Sequence, residues 1–233
     1  MLFSRDDVAG FINQNFEPVW ESVRPVPVVT INFGNGTIVT RTLHGNIATY
    51  VCRPEGQVLD ILPGAYEPVT YLSRLKELHS LAEKVQKLGV ADREKSLAEY
   101  HGSWAKTLAL MSNSTSTSPR ADRGKEVIEG GVEKKLLAHR ENARERERTD
   151  VAPPRGTPQE LANWKLLAED TRLNDIIRRR QIHSKLASGP LVRPGELLKW
   201  LYKDVLLADL DDPYLGLKSS LFEGYPFEDG PIQ

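Results

Sequence analysis

The stretch Ile47–Leu62, IATYVCRPEGQVLDIL, decides how this chain is read. Two β-rich runs, Ile47–Cys52 and Gln57–Leu62, flank Arg53-Pro54-Glu55-Gly56. Pro and Gly at that spacing favour a tight turn, so the stretch predicts a β-hairpin. Pro63-Gly64 closes the second run. Glu67-Pro68 then opens a helix, with Pro at the first position, where a missing N–H costs nothing.

Upstream, Ser4 and the acids Asp6 and Asp7 mark a helix start, followed by the apolar positions Val8, Phe11 and Ile12. Phe16–Val23 is expected as a strand, with Pro18 placing it at an edge. Val28–Phe33 and Thr37–Thr42 flank Gly34-Asn35-Gly36, a strong hairpin signal. Downstream, a helix over about Pro68–Leu88 carries Val69, Leu72, Leu75, Leu78 and Leu81/Ala82 at helical spacing. A second, about Arg93–Met111, carries the stripe Leu97, Tyr100, Trp104, Leu108 and Met111.

Ser112–Arg123 is polar and reads as a flexible tether, and Lys125–Thr149 mixes acids and bases too densely to build a core. Order resumes at Thr157-Pro158-Gln159-Glu160, a capping box with a Pro start. About three helices follow to Leu207, with Leu161, Trp164, Leu167, Leu173, Ile176, Ile177, Ile182, Leu186 and Leu197 through Val205 supplying apolar positions. The stretch 208–233 is acidic and aromatic. The expected organisation is therefore α+β: residues 1–111 with two hairpins and an appended helix, a charged linker over 112–156, and a helical part over 157–233.

Residues 4–88 resemble part of a thioredoxin-like domain, on the segments DDVAGFINQNFEPVW and GNIATYVCRPEGQVLDILPGAY. The resemblance implies a helix, a central strand, then a hairpin and a closing helix, with Arg53-Pro54-Glu55-Gly56 as the turn. It does not carry redox chemistry over. The chain has one cysteine and hence no Cys-x-x-Cys, and Ile47 stands where the family has its cis-proline.

Composition narrows the function classes. The 233 residues are 39% apolar and 27% charged, as in globular domains, and a formal charge of −1 offers no global field for phosphate. No run approaches the roughly 18 apolar residues of a membrane span. The acids in MLFSRDDVAGF leave no signal-peptide core, which points to a cytoplasmic protein if the chain begins there.

Few residues carry candidate chemistry. Cys52, in mid-strand, is expected as a buried, inert thiol and is otherwise the one candidate catalytic residue. His44, His79, His101, His139 and His183 stand at no metal-ligand spacing and join no carboxylate cluster, so neither metal nor cofactor is expected. Gly34-Asn35-Gly36 lacks the helix and Lys-Ser/Thr of a phosphate loop, and Asp209–Asp212 lacks the Gly and Glu of a calcium loop. Arg178, Arg179 and Arg180 form a basic patch suited to a protein partner or to the acidic tail, whose Tyr214, Phe222 and Tyr225 are further partner-binding candidates. The leading reading is a non-enzymatic interaction or scaffold protein with a protein partner. The alternatives are a thiol-redox protein using Cys52 or cysteines upstream, and nucleic-acid binding through Arg178–Arg180.

Overall fold

In the computed structural model, which describes residues 2–25, 28–42, 47–114 and 157–212, both expected hairpins form. After a 3-10 turn at Leu2–Ser4 come α1 (Asp6–Asn15), β1 (Val28–Asn32), β2 (Ile38–Thr42), β3 (Ala48–Cys52) and β4 (Val58–Pro63). The helices are α2 (Pro68–Gln86), α3 (Val90–Ser114), α4 (Pro158–Arg172), α5 (Arg179–Ser188) and α6 (Pro194–Trp200). A π-helical turn, Leu173–Arg178, runs without a break from α4 into α5, and another, Leu201–Val205, extends α6. The class is α+β, with two separate two-stranded antiparallel sheets.

In the first sheet Thr30 faces Thr40 and Ile31 faces Val39. In the second, Tyr50 faces Ile61, and a bulge at Val51/Cys52 shifts the register near the turn. The strand expected over Phe16–Val23 is absent, and residues 16–25 form no regular element. Pro18 and Pro25 remove two backbone donors there. The central strand that the thioredoxin-like resemblance implies is therefore not formed by these residues.

β4 is the wall of the molecule. All six of its residues are buried. Leu59 and Leu62 join Val8, Val51, Tyr71, Leu75, Leu78, Val85 and Leu97 in one core. Val58 and Ile61 join Ile182, Leu197, Leu201, Tyr202, Val205 and Leu206 in another. The C-terminal helices thus share their core with the hairpin rather than enclosing one alone. α3 and α5 pack along their lengths, which covers the Leu97/Leu108 stripe.

Backbone ties reinforce the seam. Val58 N–H donates to Val192 O at 2.8 Å, and Glu67 N–H donates to Thr171 Oγ1 at 2.7 Å. The Asn174 amide donates to Ala65 O at 2.6 Å.

Some apolar positions point elsewhere than their spacing suggests. The buried face of α2 is Tyr71, Leu75, Leu78, Leu81 and Val85, one step round from Val69, which is exposed. Trp164 and Leu173 are also exposed, because β4 and α3 receive the chain from residue 174 onward rather than α4. The linker expected over 112–156 starts too early, since α3 continues through Ser114; its residues 115–156, residues 213–233 of the expected 208–233 tail and the side chain of Leu161 lie outside the described residues.

Gly64 sits at the tightest point of the seam. Its φ is +75°, and a Cβ there would lie 2.6 Å from Asn174 Nδ2. Gly56 has a similar φ of +82°, but a Cβ would meet only Arg193 Nη1 at 3.5 Å. Gly56→Ala should therefore cost about 1–2 kcal/mol from backbone conformation alone. Gly64→Ala should cost clearly more, because it adds a collision with the buried Asn174. Chemical denaturation of the two variants checks the order, and equal losses would contradict it.

Candidate functional site

Asp60 lies in the middle of the buried strand β4, where a carboxylate needs a counter-charge. α5 supplies it. Arg179 Nη2 donates to Asp60 Oδ2 at 2.7 Å, and neither side chain has any exposed surface. Arg179 Nη1 reaches Asp175 at 3.3 Å, and Asp175 takes a forked pair from Arg74 at 2.9 and 2.5 Å. Arg74 ends the chain on Glu77 at the rim. Two helices and the central strand are thereby joined by one line of alternating charge.

Two histidines close the cluster. His101 of α3 and His183 of α5 meet Nδ1 to Nδ1 at 2.8 Å, and His183 Nε2 stands 3.9 Å from Asp60 Oδ2. One of the facing nitrogens must carry a proton and the other a lone pair, so the contact needs at least one neutral ring. Trp104 stacks on His183 at 5.9 Å, and the guanidinium groups of Arg74 (5.2 Å) and Arg179 (5.7 Å) both lie against its indole ring. Tyr100 covers the edge of both histidines.

The electrostatics follow from burial. Desolvation pushes His183 down to about 3, and it lowers His101 as well. Burial alone would raise Asp60, but a protonated His183 and the Arg179 guanidinium outweigh it and hold the carboxyl at about 2. At neutral pH His183 is uncharged, so Arg179 is the counter-charge that keeps Asp60 ionised.

The expectation that no carboxylate cluster joins the histidines is overturned. Donor atoms of Asp60, His101 and His183 lie within 4.8 Å of one another. Those donor types suit a divalent ion, but charge and spacing do not. Arg179 already neutralises Asp60, so an ion between Asp60 and the histidines would add uncompensated positive charge where no side chain is exposed to solvent. Two nitrogens on one tetrahedral zinc sit about 3.3 Å apart, wider than the 2.8 Å here. Arg179 already supplies the cation this cluster needs.

The other candidates scatter. Arg179 is wholly buried and paired with Asp60 and Asp175, so it is not part of a surface basic patch, and that expectation is corrected. Arg178 is half-buried and donates to Asn174 Oδ1, and Arg180 is half-buried and donates to Ser112 Oγ. Asp209 and Asp211 pair with Lys203 and Lys199 rather than with the arginines. Cys52 is exposed, not buried: Val51 takes the inward position of β3 and Cys52 the outward one that follows it. Partial burial raises its thiol pKa. His44, Tyr214, Phe222 and Tyr225 lie outside the described residues.

Exposed apolar side chains gather on the β1–β2 hairpin. Val28 (58%), Ile31 (44%), Phe33 (60%) and Ile38 (61%) are all exposed. Among the described residues neither core contains a residue of either strand. Val19 and Trp20, in the segment leading to it, are more exposed still. No helix among the described residues is long and apolar enough to cross a membrane. Comparisons with protein-family models, curated proteins and solved structures find no match to this chain.

Two outcomes test the buried cluster. Arg179→Met should cost about 3–5 kcal/mol by stranding Asp60, while the double change D60L/R179M should recover much of that loss. A single variant as stable as the parent would contradict the account. The histidines set a pH dependence. Both are held neutral in the folded chain, so as pH falls below about 6.5 the unfolded chain takes up protons first. Stability should therefore be full above pH 6.5 and fall as the pH drops below it, by up to about 1.4 kcal/mol per pH unit for each histidine that stays neutral, the His183 loss continuing toward pH 3. The Asp60 contribution is lost only below about pH 4, as its own protonation sets in. Denaturation of the H101Q/H183Q variant between pH 7 and 5 should show a flatter profile, and an unchanged slope would rule the histidines out as its source.

Proposed function

We propose that this chain is a non-enzymatic protein-interaction module and that the β1–β2 hairpin is its docking element. The observation that carries this reading is the exposure of Val28, Ile31, Phe33 and Ile38 on a hairpin that contributes to neither core. An isolated two-stranded hairpin is marginal in water, and apolar side chains left exposed on both of its faces, Val28 and Ile38 on one and Ile31 and Phe33 on the other, mark a contact element. The hairpin residues 28–40 carry no charge that would keep a protein surface away. A partner that covers these side chains adds strands or apolar surface, and the buried Asp60–Arg179 cluster holds the body that presents them.

The thiol-redox alternative rests on the exposure of Cys52. A reactive thiol needs a lowered pKa, and this one is raised. The adjacent Arg53 guanidinium is engaged with Glu55 and Gln57.

Placing a photo-crosslinking residue at Phe33 tests the interaction reading. Illumination in cells should give discrete protein adducts from Phe33 and none from Glu83, an exposed position on α2. Equal adducts from both positions, or none from Phe33, would overturn it.

A further inference from the structure

Among the described residues no strand pairs with the outer edge of β1, and the register of that edge is defined by the hairpin's own hydrogen bonds. Phe33 N–H donates to Thr37 O at 3.0 Å. In an antiparallel ladder hydrogen-bonded and non-hydrogen-bonded pairs alternate. Counting back along the observed register, Ile31↔Val39 and Val29↔Arg41 are the hydrogen-bonded pairs, and Asn32↔Ile38, Thr30↔Thr40 and Val28↔Thr42 are not. The N–H and C=O groups of Val28, Thr30 and Asn32 therefore point away from β2, along the outer edge of β1.

We propose that this edge of β1 pairs antiparallel with β1 of a second copy of the chain, giving a four-stranded sheet in the order β2-β1-β1-β2. This rests on the reading of the hairpin as a docking element and names its occupant. Three observations favour a second copy.

The first is self-complementarity. A two-fold axis through Thr30 sets Thr30 opposite Thr30 and Val28 opposite Asn32, and so uses every outward group of the strand. The same register sets Val29 opposite Ile31 of the second copy, a β-branched cross-strand pair. Thr facing Thr across two strands is already the arrangement within the hairpin, at Thr30 and Thr40.

The second is charge. Proteins protect open edges with charged residues, prolines or bulges, and residues 28–40 contain no charge and no proline. The outer edge of β2 is less suitable, since pairing it about Thr40 sets Arg41 against Val39. The whole chain carries a formal charge of only −1, so two copies approach without long-range repulsion.

The third is need. Two strands alone are marginal, whereas four strands with a shared apolar face support one another. Ile31 from both copies falls on one face of the enlarged sheet, where each gains a neighbour across the new strand pair.

The test uses the full chain in analytical ultracentrifugation from 1 to 200 μM, with proline placed on each outer edge in turn. Thr30→Pro removes an outward N–H of β1 and no bond between β1 and β2. Thr40→Pro does the same on β2. The parent should shift with concentration from 26.2 kDa to about twice that mass. T30P should stay monomeric over the whole range, and T40P should dimerise like the parent. A parent that is monomeric throughout would overturn the proposal, as would a dimer lost in T40P but not in T30P. The Phe33 crosslink separates this from the broader reading. Adducts to other proteins with a monomeric parent leave the docking element in place with a different occupant. No adducts at all sink both. Unchanged far-ultraviolet circular dichroism and thermal midpoint show that each variant has folded, and a T30P chain that unfolds is replaced by Ile31→Lys, which should also stay monomeric.

Discussion

A charge in the middle of a fully buried strand constrains everything around it. Asp60 stands between Leu59 and Ile61, each of which belongs to a different core. Leaving that carboxylate unpaired there costs several kcal/mol, and no water reaches it. The fold therefore has to bring a cation to one point on β4. Arg179 is that cation, and its arrival sets where α5 lies and which face it presents. With Arg179 inward, Ile182 and His183 follow on the same face within one turn. His183 then meets His101 on α3, and Trp104 closes over both arginines.

The same constraint explains why residues 157–212 do not behave as an appendage. Thr171 receives the backbone N–H that precedes α2, Asn174 holds the Ala65 carbonyl, and Asp175 takes Arg74. Each contact joins positions about a hundred residues apart in the chain. Apolar burial supplies most of the stabilisation, as in any domain. The charged line contributes position: an alternative packing of α5 against β4 strands a buried charge, whereas a slipped apolar contact costs much less.

Local features of the chain were legible because local chemistry decides them. Asn35-Gly36 and Pro54-Glu55-Gly56 mark the two hairpins, Pro68 opens α2, Pro158 opens α4, and Gly189-Pro190 follows the end of α5. The Leu97–Leu108 stripe marks α3 and its buried face. What depends on pairing across the chain was not legible. Arg178, Arg179 and Arg180 look alike in sequence, and only the placement of Asp60 separates the middle one from its neighbours. His101 and His183 have no common spacing because α3 and α5, not one helix, bring them together. One signal was present: an aspartate inside VLDIL cannot be buried alone, so it predicts a buried arginine or lysine somewhere in the chain. Cys52 and Phe16–Val23 misled for another reason. Their β-rich composition suits a strand interior, but Cys52 takes an outward position of β3, and Pro18 and Pro25 remove backbone donors from residues 16–25.

The β1–β2 hairpin contrasts with all of this. Among the described residues it contributes nothing to either core, and β1 carries no charge along its outer edge. A rigid body held by buried charge and an exposed apolar arm suit a division between support and contact.

The central claim is that β4 and the helices after residue 170 form one cooperative unit through the Asp60–Arg179 pair. Native-state hydrogen exchange resolved by residue measures it most directly. The amides of Leu59–Leu62 and those of Ile182–Leu186 should open with the same free energy, equal to that of global unfolding. They should lose protection together as denaturant is added. If the helices after residue 170 exchange through a separate, lower-energy opening while β4 stays protected, the pair does not join the two parts and the account fails.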